Sequence, residues 1–248
     1  MNLKYCPQRD VPSISKTKMF NSTVSKYDPR TGRTTRLQNC IPYDQLLARD
    51  FSRCCYQPIR TIIPPTVSVV VSSSGIPRSF SWTPYGSGTV DYGNGPVRFS
   101  STNTQLTSTI TNANIKIYSD DLINLRINEQ SVLSIDLSRA ANIASLFLES
   151  NNISGVIDVT GAKLLEILNI TDNSITGING VNNIGDIYIH NNLFTQTSID
   201  SIATDIYNTG RQFGLLNIGG QRGEFIDPDS PALLQIKNQR GWSVIVTQ

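Results

Sequence analysis

The residue types best suited to nucleophilic, acid–base or metal chemistry are sparse in this chain of 248 residues. It holds one histidine, His190, and four cysteines, Cys6, Cys40, Cys54 and Cys55, which form no Cys-x-x-Cys pair. A structural zinc needs clustered ligands, and His190 stands far along the sequence from every cysteine, so no metal centre is expected. The first residues, Met1 to Ser13, lack an apolar signal-peptide core, which predicts a protein that is not exported by the ordinary route and cysteines that stay as free thiols. A Cys6–Cys40 or Cys40–Cys54 bridge is the alternative in an oxidising setting. No phosphate-cradling glycine loop or dinucleotide fingerprint is present, and no cofactor is expected. Asp91, in the run VDYGNG from Val90 to Gly95, is a lone carboxylate and a poor basis for calcium coordination.

What His190 can do depends on the elements that hold it, and those elements repeat. The template LxxLxLxxNxL fits four times, starting at Leu122, Ile143, Leu165 and Ile184, at spacings of 21, 22 and 19 residues. Its apolar slots are filled by Leu125, Ile127 and Val132; Leu146, Leu148 and Ile153; Leu168, Ile170 and Ile175; and Ile187, Ile189 and Phe194. The asparagine slot holds Gln130, Asn151, Asn173 and Asn192. A degenerate fifth copy starts at Phe213, with Leu216, Ile218 and Gln221 in the corresponding places. Repetition at this period predicts a solenoid, in which each copy buries its apolar strand residues against the next and the asparagine amide serves backbone groups at the bend. A second apolar pair, Ile135 with Leu137 and Val156 with Val159, is expected to make the return side of each coil.

This pattern resembles the leucine-rich repeats of short Bacteroidota and bacteriophage proteins, over about residues 106 to 248. The resemblance implies an exposed strand face with two side-chain columns. One is Arg126, Phe147, Asn169, Tyr188 and Asn217; the other is Asn128, Glu149, Thr171, His190 and Gly219. Phe147 and Tyr188 are the candidates for protein or sugar contact, with Arg126, Glu149, Asn169 and His190 around them. Glu149, Thr171 and His190 form no triad with a serine or cysteine, and a short solenoid face offers no water-excluded pocket, so no catalytic residue is assigned and no enzyme is expected.

Ahead of the repeats the pattern is β-like. The runs TVSVVV, SFSW, GTVDYGNGPVRF and NIKIYS, separated by Gly, Ser, Thr and Asn, predict a small β module over residues 66–118. Asn94-Gly95 favours the positive φ angles of a hairpin turn there. GTVDYGNG is similar to the DWGDG-type signature of PKD-like β-sandwich modules, with Tyr92 in place of Trp and Asn94 in place of the second Asp.

Residues 1–65 differ in character. The first 60 carry eleven Lys or Arg against four Asp, leaving ten basic and fifteen acidic residues in the remainder. Polar stretches with isolated apolar residues predict an extended anchoring arm that orders on a partner, with Tyr5, Tyr27, Arg30, Arg33, Arg36, Leu46, Leu47 and Phe51 as its contact candidates. YDQLLARDFSRCC, residues 43–55, has the spacing of a short amphipathic helix, and Pro64-Pro65 closes the arm as a stiff spacer. Tyr5, Tyr27, Tyr43 and Tyr56 lie among the positive charges, yet no nucleic-acid motif surrounds them, so nucleic acid is not an expected partner.

The chain end carries two helical patterns. Ile199, Ile202 and Ile206 recur at helical spacing between Ser198, the expected cap, and Gly210; Leu233, Leu234 and Ile236 do so between Ser230-Pro231 and Gly241. They are expected to cover the last coil, followed by a strand in WSVIVT. The fold class expected is therefore mixed β with some α: an extended arm (1–65), a β-sandwich-like module (66–118), and a leucine-rich-repeat solenoid with a helical cap (119–248). No apolar run is long enough to span a bilayer, so membrane insertion is not expected. The resemblance implies a structural or attachment protein of a tailed phage, located in the virion after assembly in the host cytoplasm. Its partners would be capsid, portal or tail proteins and, at the repeat face, a host surface glycan or protein. A Bacteroidota cell-surface or periplasmic adhesion protein is the alternative, and a glycan-active enzyme a third class.

Overall fold

A computed structural model describes residues 64–246 in full, together with the strand backbones of residues 25–28, 33–37 and 56–57. The chain divides into two compact units, Met1–Ile63 and Pro64–Gln248. In the first unit, β1 (Ser25–Asp28), β2 (Arg33–Leu37) and β3 (Tyr56–Gln57) form an antiparallel sheet in the order β1-β2-β3. Tyr27 lies opposite Thr34, Arg33 opposite Asp28, and Arg36 opposite Ser25 and Gln57. The sequence pattern assigns no strand to this segment. The predicted helix over 43–55, the arm candidates Tyr5, Arg30, Leu46, Leu47 and Phe51, and the four cysteines lie outside the described residues.

The second unit is mostly β, with two helices and a β-solenoid of about three turns. Its first part is built on β4 (Val67–Val71), β5 (Arg78–Asp91), β6 (Pro96–Thr102), β7 (Leu106–Ile110) and β8 (Asn114–Tyr118). The fourteen-residue β5 joins SFSW and GTVD into one strand. Its first half pairs with β7 and its second half with β6, and β8 pairs with both β4 and the end of β5. The interior is aromatic. Trp82 meets the Phe99 ring edge-on at 5.0 Å and donates its indole N–H to the Tyr92 hydroxyl at 2.8 Å. Burial raises the Tyr92 pKa above its ordinary value, with the Trp82 hydrogen bond pulling the other way.

The turn between β5 and β6 falls at Asn94-Gly95 as the sequence predicts, but the left-handed residues are Gly93 and Gly95, at φ 107° and 97°. Asp91 organises the turn by accepting the amides of Gly93 at 2.8 Å and Gly95 at 3.0 Å on one oxygen. It serves here as a turn residue. Among the described residues no group of three or more His, Cys, Asp or Glu converges as a metal site would require.

The solenoid follows without a break. Its parallel rungs are β9 (Asn124–Arg126), β11 (Ser145–Phe147), β13 (Ile167–Asn169), β15 (Asp186–Tyr188), β16 (Leu215–Asn217) and β17 (Ser243–Ile245). β9 also pairs antiparallel with β5, setting Pro84 against Leu125. One hydrophobic core runs from Val67 to Trp242, so the sequence position 118/119 falls inside a shared sheet and core. Every apolar slot of the four template copies is at most 3% exposed. Burial of each such side chain is worth about 1.5–3 kcal/mol relative to exposure.

The return strands are β10 (Val132–Asp136), β12 (Ser154–Asp158) and β14 (Ser174–Asn179). β10 pairs with β4, and β12 with β14. Leu137 and Val159 point inward as the pattern predicts, and Ile135 is half-buried. Val156 does not: it is 58% exposed and Ile157 is buried in its place. Ile153, Ile157 and Val159 keep an unbroken two-residue alternation, which puts Val156 on the outward phase. The extra residue at the β12–β14 register shift is Thr176 of β14, so there the inward positions are Ile175 and Ile178, three apart.

Helix α1 (Gln196–Thr209) packs against β14, and helix α2 (Pro231–Arg240) packs against α1. The two helices are thus the return sides of the last coils, and they do not lie across the end of the stack. The final rung shows the consequence: Val244 and Val246, at its inward positions, are only partly buried. The cap of α1 is Thr195, one turn before the predicted Ser198. Thr195 accepts the Ser198 amide at 3.2 Å while Ser198 accepts the Thr195 amide at 2.9 Å, a reciprocal capping box. Ser230 and Gly241 bound α2 as expected, with Leu233 and Ile236 buried and Leu234 half-buried. No helix among the described residues is long and apolar enough to cross a membrane.

Candidate functional site

The bends of the solenoid position its exposed face, and each bend is held by one amide side chain. Asn151 donates to the carbonyls of Ile127 in the preceding coil (2.7 Å) and of Leu148 and Glu149 in its own (3.0 and 3.2 Å). Its oxygen accepts the amides of Gln130 and Val132, both at 3.0 Å. Asn173 repeats the arrangement with Leu148, Ile170, Thr171 and the Ile153 amide; Asn192 does so with Ile170, Ile189, His190 and the Ile175 amide. All three asparagines are at most 6% exposed. Gln221 extends the ladder into the degenerate copy, donating to Ile189 and Ile218 and accepting from Phe194. The residue before each amide slot turns the chain: Glu129, Ser150, Asp172, Asn191 and Gly220 all have φ between 54° and 62°. Charged, hydroxyl and amide side chains occupy this turning position, so identity alone gave no repeat signal there.

Gln130 departs from the ladder. Its side-chain amide nitrogen, Nε2, reaches only the carbonyls of Asn128 and Glu129, while Oε1 accepts the Ser81 amide at 2.8 Å and its backbone carbonyl accepts Arg78 at 2.6 Å. In this first coil the slot fastens the solenoid to β5. Asp121 makes a second fastening, accepting the Ser87 amide (2.8 Å), the Ser87 hydroxyl (2.7 Å) and the Ser119 hydroxyl (3.0 Å). The Ser87 amide and then its hydroxyl hold the Asp121 carboxyl below its ordinary value. Gly86, at φ 144°, passes so close to Asp121 and Leu122 that an added Cβ would lie 2.7 Å from the Asp121 carbonyl oxygen.

Strand register puts Arg126, Phe147, Asn169, Tyr188 and Asn217 side by side, as the template requires. The Arg126 guanidinium lies 4.1 Å from the centre of the Phe147 ring, covering it. Phe147 and Tyr188 are half-buried rather than free-standing. Glu149 accepts from Asn128 at 2.9 Å on one oxygen and from Asn169 on the other. Asn169 in turn accepts the Thr171 hydroxyl at 2.7 Å, and Thr171 meets His190 Nδ1 at 3.3 Å. The structure therefore brings Glu149, Asn169 and His190 into one hydrogen-bonded row and pairs Arg126 with Phe147, while Tyr188 stands in register between Asn169 and Asn217.

The antiparallel pairing of β5 with β9 adds residues the repeat template could not supply. Thr83 lies opposite Arg126 and Tyr85 opposite Asn124, and directly opposed residues share a sheet face, so the display surface continues onto β5. Tyr85 is 38% exposed there. Clefts of about 500 and 250 Å3 lie elsewhere, the first around Gln221, Phe225, Ile226 and Val246, the second around Thr160, Lys163 and Asn182. Glu149 and His190 line neither.

No protein-family model matches the chain, and neither the curated proteins nor the solved structures compared with it include a match.

Proposed function

We propose that the protein is a non-enzymatic structural or attachment component of a tailed-phage virion, located in the particle, whose leucine-rich-repeat solenoid presents a contact face and whose residues 1–65 anchor it to other virion proteins. The reading rests on the likeness of the repeat and the β module to phage and Bacteroidota proteins, and its β module is taken as PKD-like and sandwich-like. The observation that carries the contact role is the row from Asn128 to His190. Its acid–base candidates are each engaged by neighbouring polar side chains, Glu149 by Asn128 and Asn169 and His190 by Thr171, on a regular strand face, an arrangement that suits rigid presentation of side chains more than turnover. Arg126 with Phe147, Tyr188 two strands beyond them and, toward the other end of the same face, Tyr85 on β5 are the groups a partner would touch.

Mass spectrometry of purified particles from the host that carries this sequence tests the virion role. The chain is expected among the virion proteins, and its absence would end that reading. Deleting residues 1–65 should leave the second unit folded yet unable to join its assembly; normal incorporation of the truncated chain would contradict the anchoring role.

A further inference from the structure

The β5–β6 turn contains an Asn-Gly pair, the sequence most open to spontaneous side-chain cyclisation, because glycine leaves the following amide nitrogen unshielded. Asn94 is exposed, so solvent reaches the reacting atoms. Yet both reacting groups are held. The Gly95 N–H donates to Asp91 Oδ1 at 3.0 Å, and the Asn94 side-chain carbonyl accepts the Thr111 hydroxyl at 2.8 Å. Thr111 is itself fixed, since its amide donates to the Tyr92 carbonyl at 3.0 Å.

We propose that Asn94-Gly95 is a latent deamidation site, kept intact in the folded chain by Asp91 at the attacking nitrogen and Thr111 at the attacked carbonyl. In the reaction, the Gly95 amide loses its proton to a water-borne base and its nitrogen attacks Asn94 Cγ. The new C–N bond closes a five-membered imide, the Cγ–Nδ2 bond breaks, and nitrogen leaves as ammonia. Water then opens the ring at either carbonyl, leaving a carboxylate in an ordinary or an isomerised backbone. Asp91 opposes the first step in two ways: its hydrogen bond must break before the nitrogen turns, and its negative charge disfavours the amide anion. Thr111 keeps the side-chain carbonyl turned toward its own hydroxyl. The product would place a second carboxylate beside Asp91, and like charges so close would loosen the turn.

The test follows Asn94 by peptide mapping with mass detection during incubation of the full-length chain at mildly alkaline pH. Folded wild-type protein should deamidate at Asn94 at least about tenfold more slowly than the same chain in urea, the factor set by one charge-assisted hydrogen bond. Asp91→Ala and Thr111→Val should each raise the folded-state rate. Asp91→Asn, which keeps an acceptor oxygen and removes the charge, should fall between Asp91→Ala and wild type. Thermal melting run alongside identifies any variant that has lost the turn by unfolding; for such a variant Asp91→Asn and Thr111→Val carry the comparison. Equal rates in the folded and urea-unfolded wild type, or wild-type rates in both Asp91→Asn and Thr111→Val, would overturn the proposal.

Discussion

Truncating Asn173 removes several bonds at once, because its amide serves the Leu148, Ile170 and Thr171 carbonyls and the Ile153 amide from a position 1% exposed. No solvent reaches the bend to replace them, so Asn173→Ala should lower the unfolding free energy by about 3 kcal/mol, measured as a fall in the urea midpoint. A midpoint within error of wild type would mean that the ladder is dispensable. Asp121 acts through charge. Its carboxyl is held below the ordinary value of 3.8, so its stabilising effect is complete well above that pH and is lost as pH falls through 3.8 toward the depressed folded value. Asp121→Asn should therefore flatten the acid side of the stability–pH curve and leave the slope near neutrality unchanged. At this scale the sequence was readable where a residue's role is set by its own coil: the buried slots and the amides of Asn151, Asn173 and Asn192 follow from the pattern. It was silent where the partner is remote, as with Gln130, whose Ser81 contact lies 49 residues away.

Elements were legible in kind and less so in phase. Both C-terminal helices follow from apolar spacing and glycine stops, but the periodic isoleucines mark where α1 is buried, not where it begins. Thr195 and Ser198 separate the two placements of its cap. With Thr195 as N-cap, Thr195→Ala should cost about 1 kcal/mol. That loss lowers Tm by about 2–4 °C in a unit of this size, and Ser198→Ala, which loses the returning bond from the Thr195 amide and its own bond to the Thr195 carbonyl but leaves the N-cap acceptor in place, should lower it less. The opposite ranking would restore Ser198 as the cap. The return strands show the same limit. In GVIDV the alternation itself pairs Ile157 with Val159 and sends Val156 outward, whereas in β14 the extra residue Thr176 between the inward Ile175 and Ile178 depends on how that strand meets β12, which its own residues do not announce. The helices were likewise expected to lie over the last coil, whereas the buried face of α1 (Ile199, Ile202, Ala203 and Ile206) continues the return side beside β14.

Across the second unit, the sheet passes from β8 through β5 to β9 and on to β17, so the β module and the solenoid share strand pairing as well as core. Solenoid coils by themselves couple only to their neighbours, and an independent module would let the rungs loosen without disturbing it. Here three connections oppose that: the β5–β9 pairing, the Gln130 bonds to Ser81 and from Arg78, and the Asp121 clasp on Ser87. Leu168→Ala, in the middle of the stack at 0% exposure, should destabilise by about 3 kcal/mol. If the unit is one cooperative body, native-state hydrogen exchange should show the slowest amides of β4 and β8 losing the same opening free energy as those of β13 and β15. Protection of β4 and β8 that stays at the wild-type level would instead restore two domains meeting near residue 118, with β5 and β9 paired across an interface that opens on its own. Adding Gln130→Ala sharpens the comparison. It cuts the Ser81 tie without touching the core, so in a cooperative unit it should begin to separate the two sets of amides, and in two independent domains it should change neither set's dependence on Leu168.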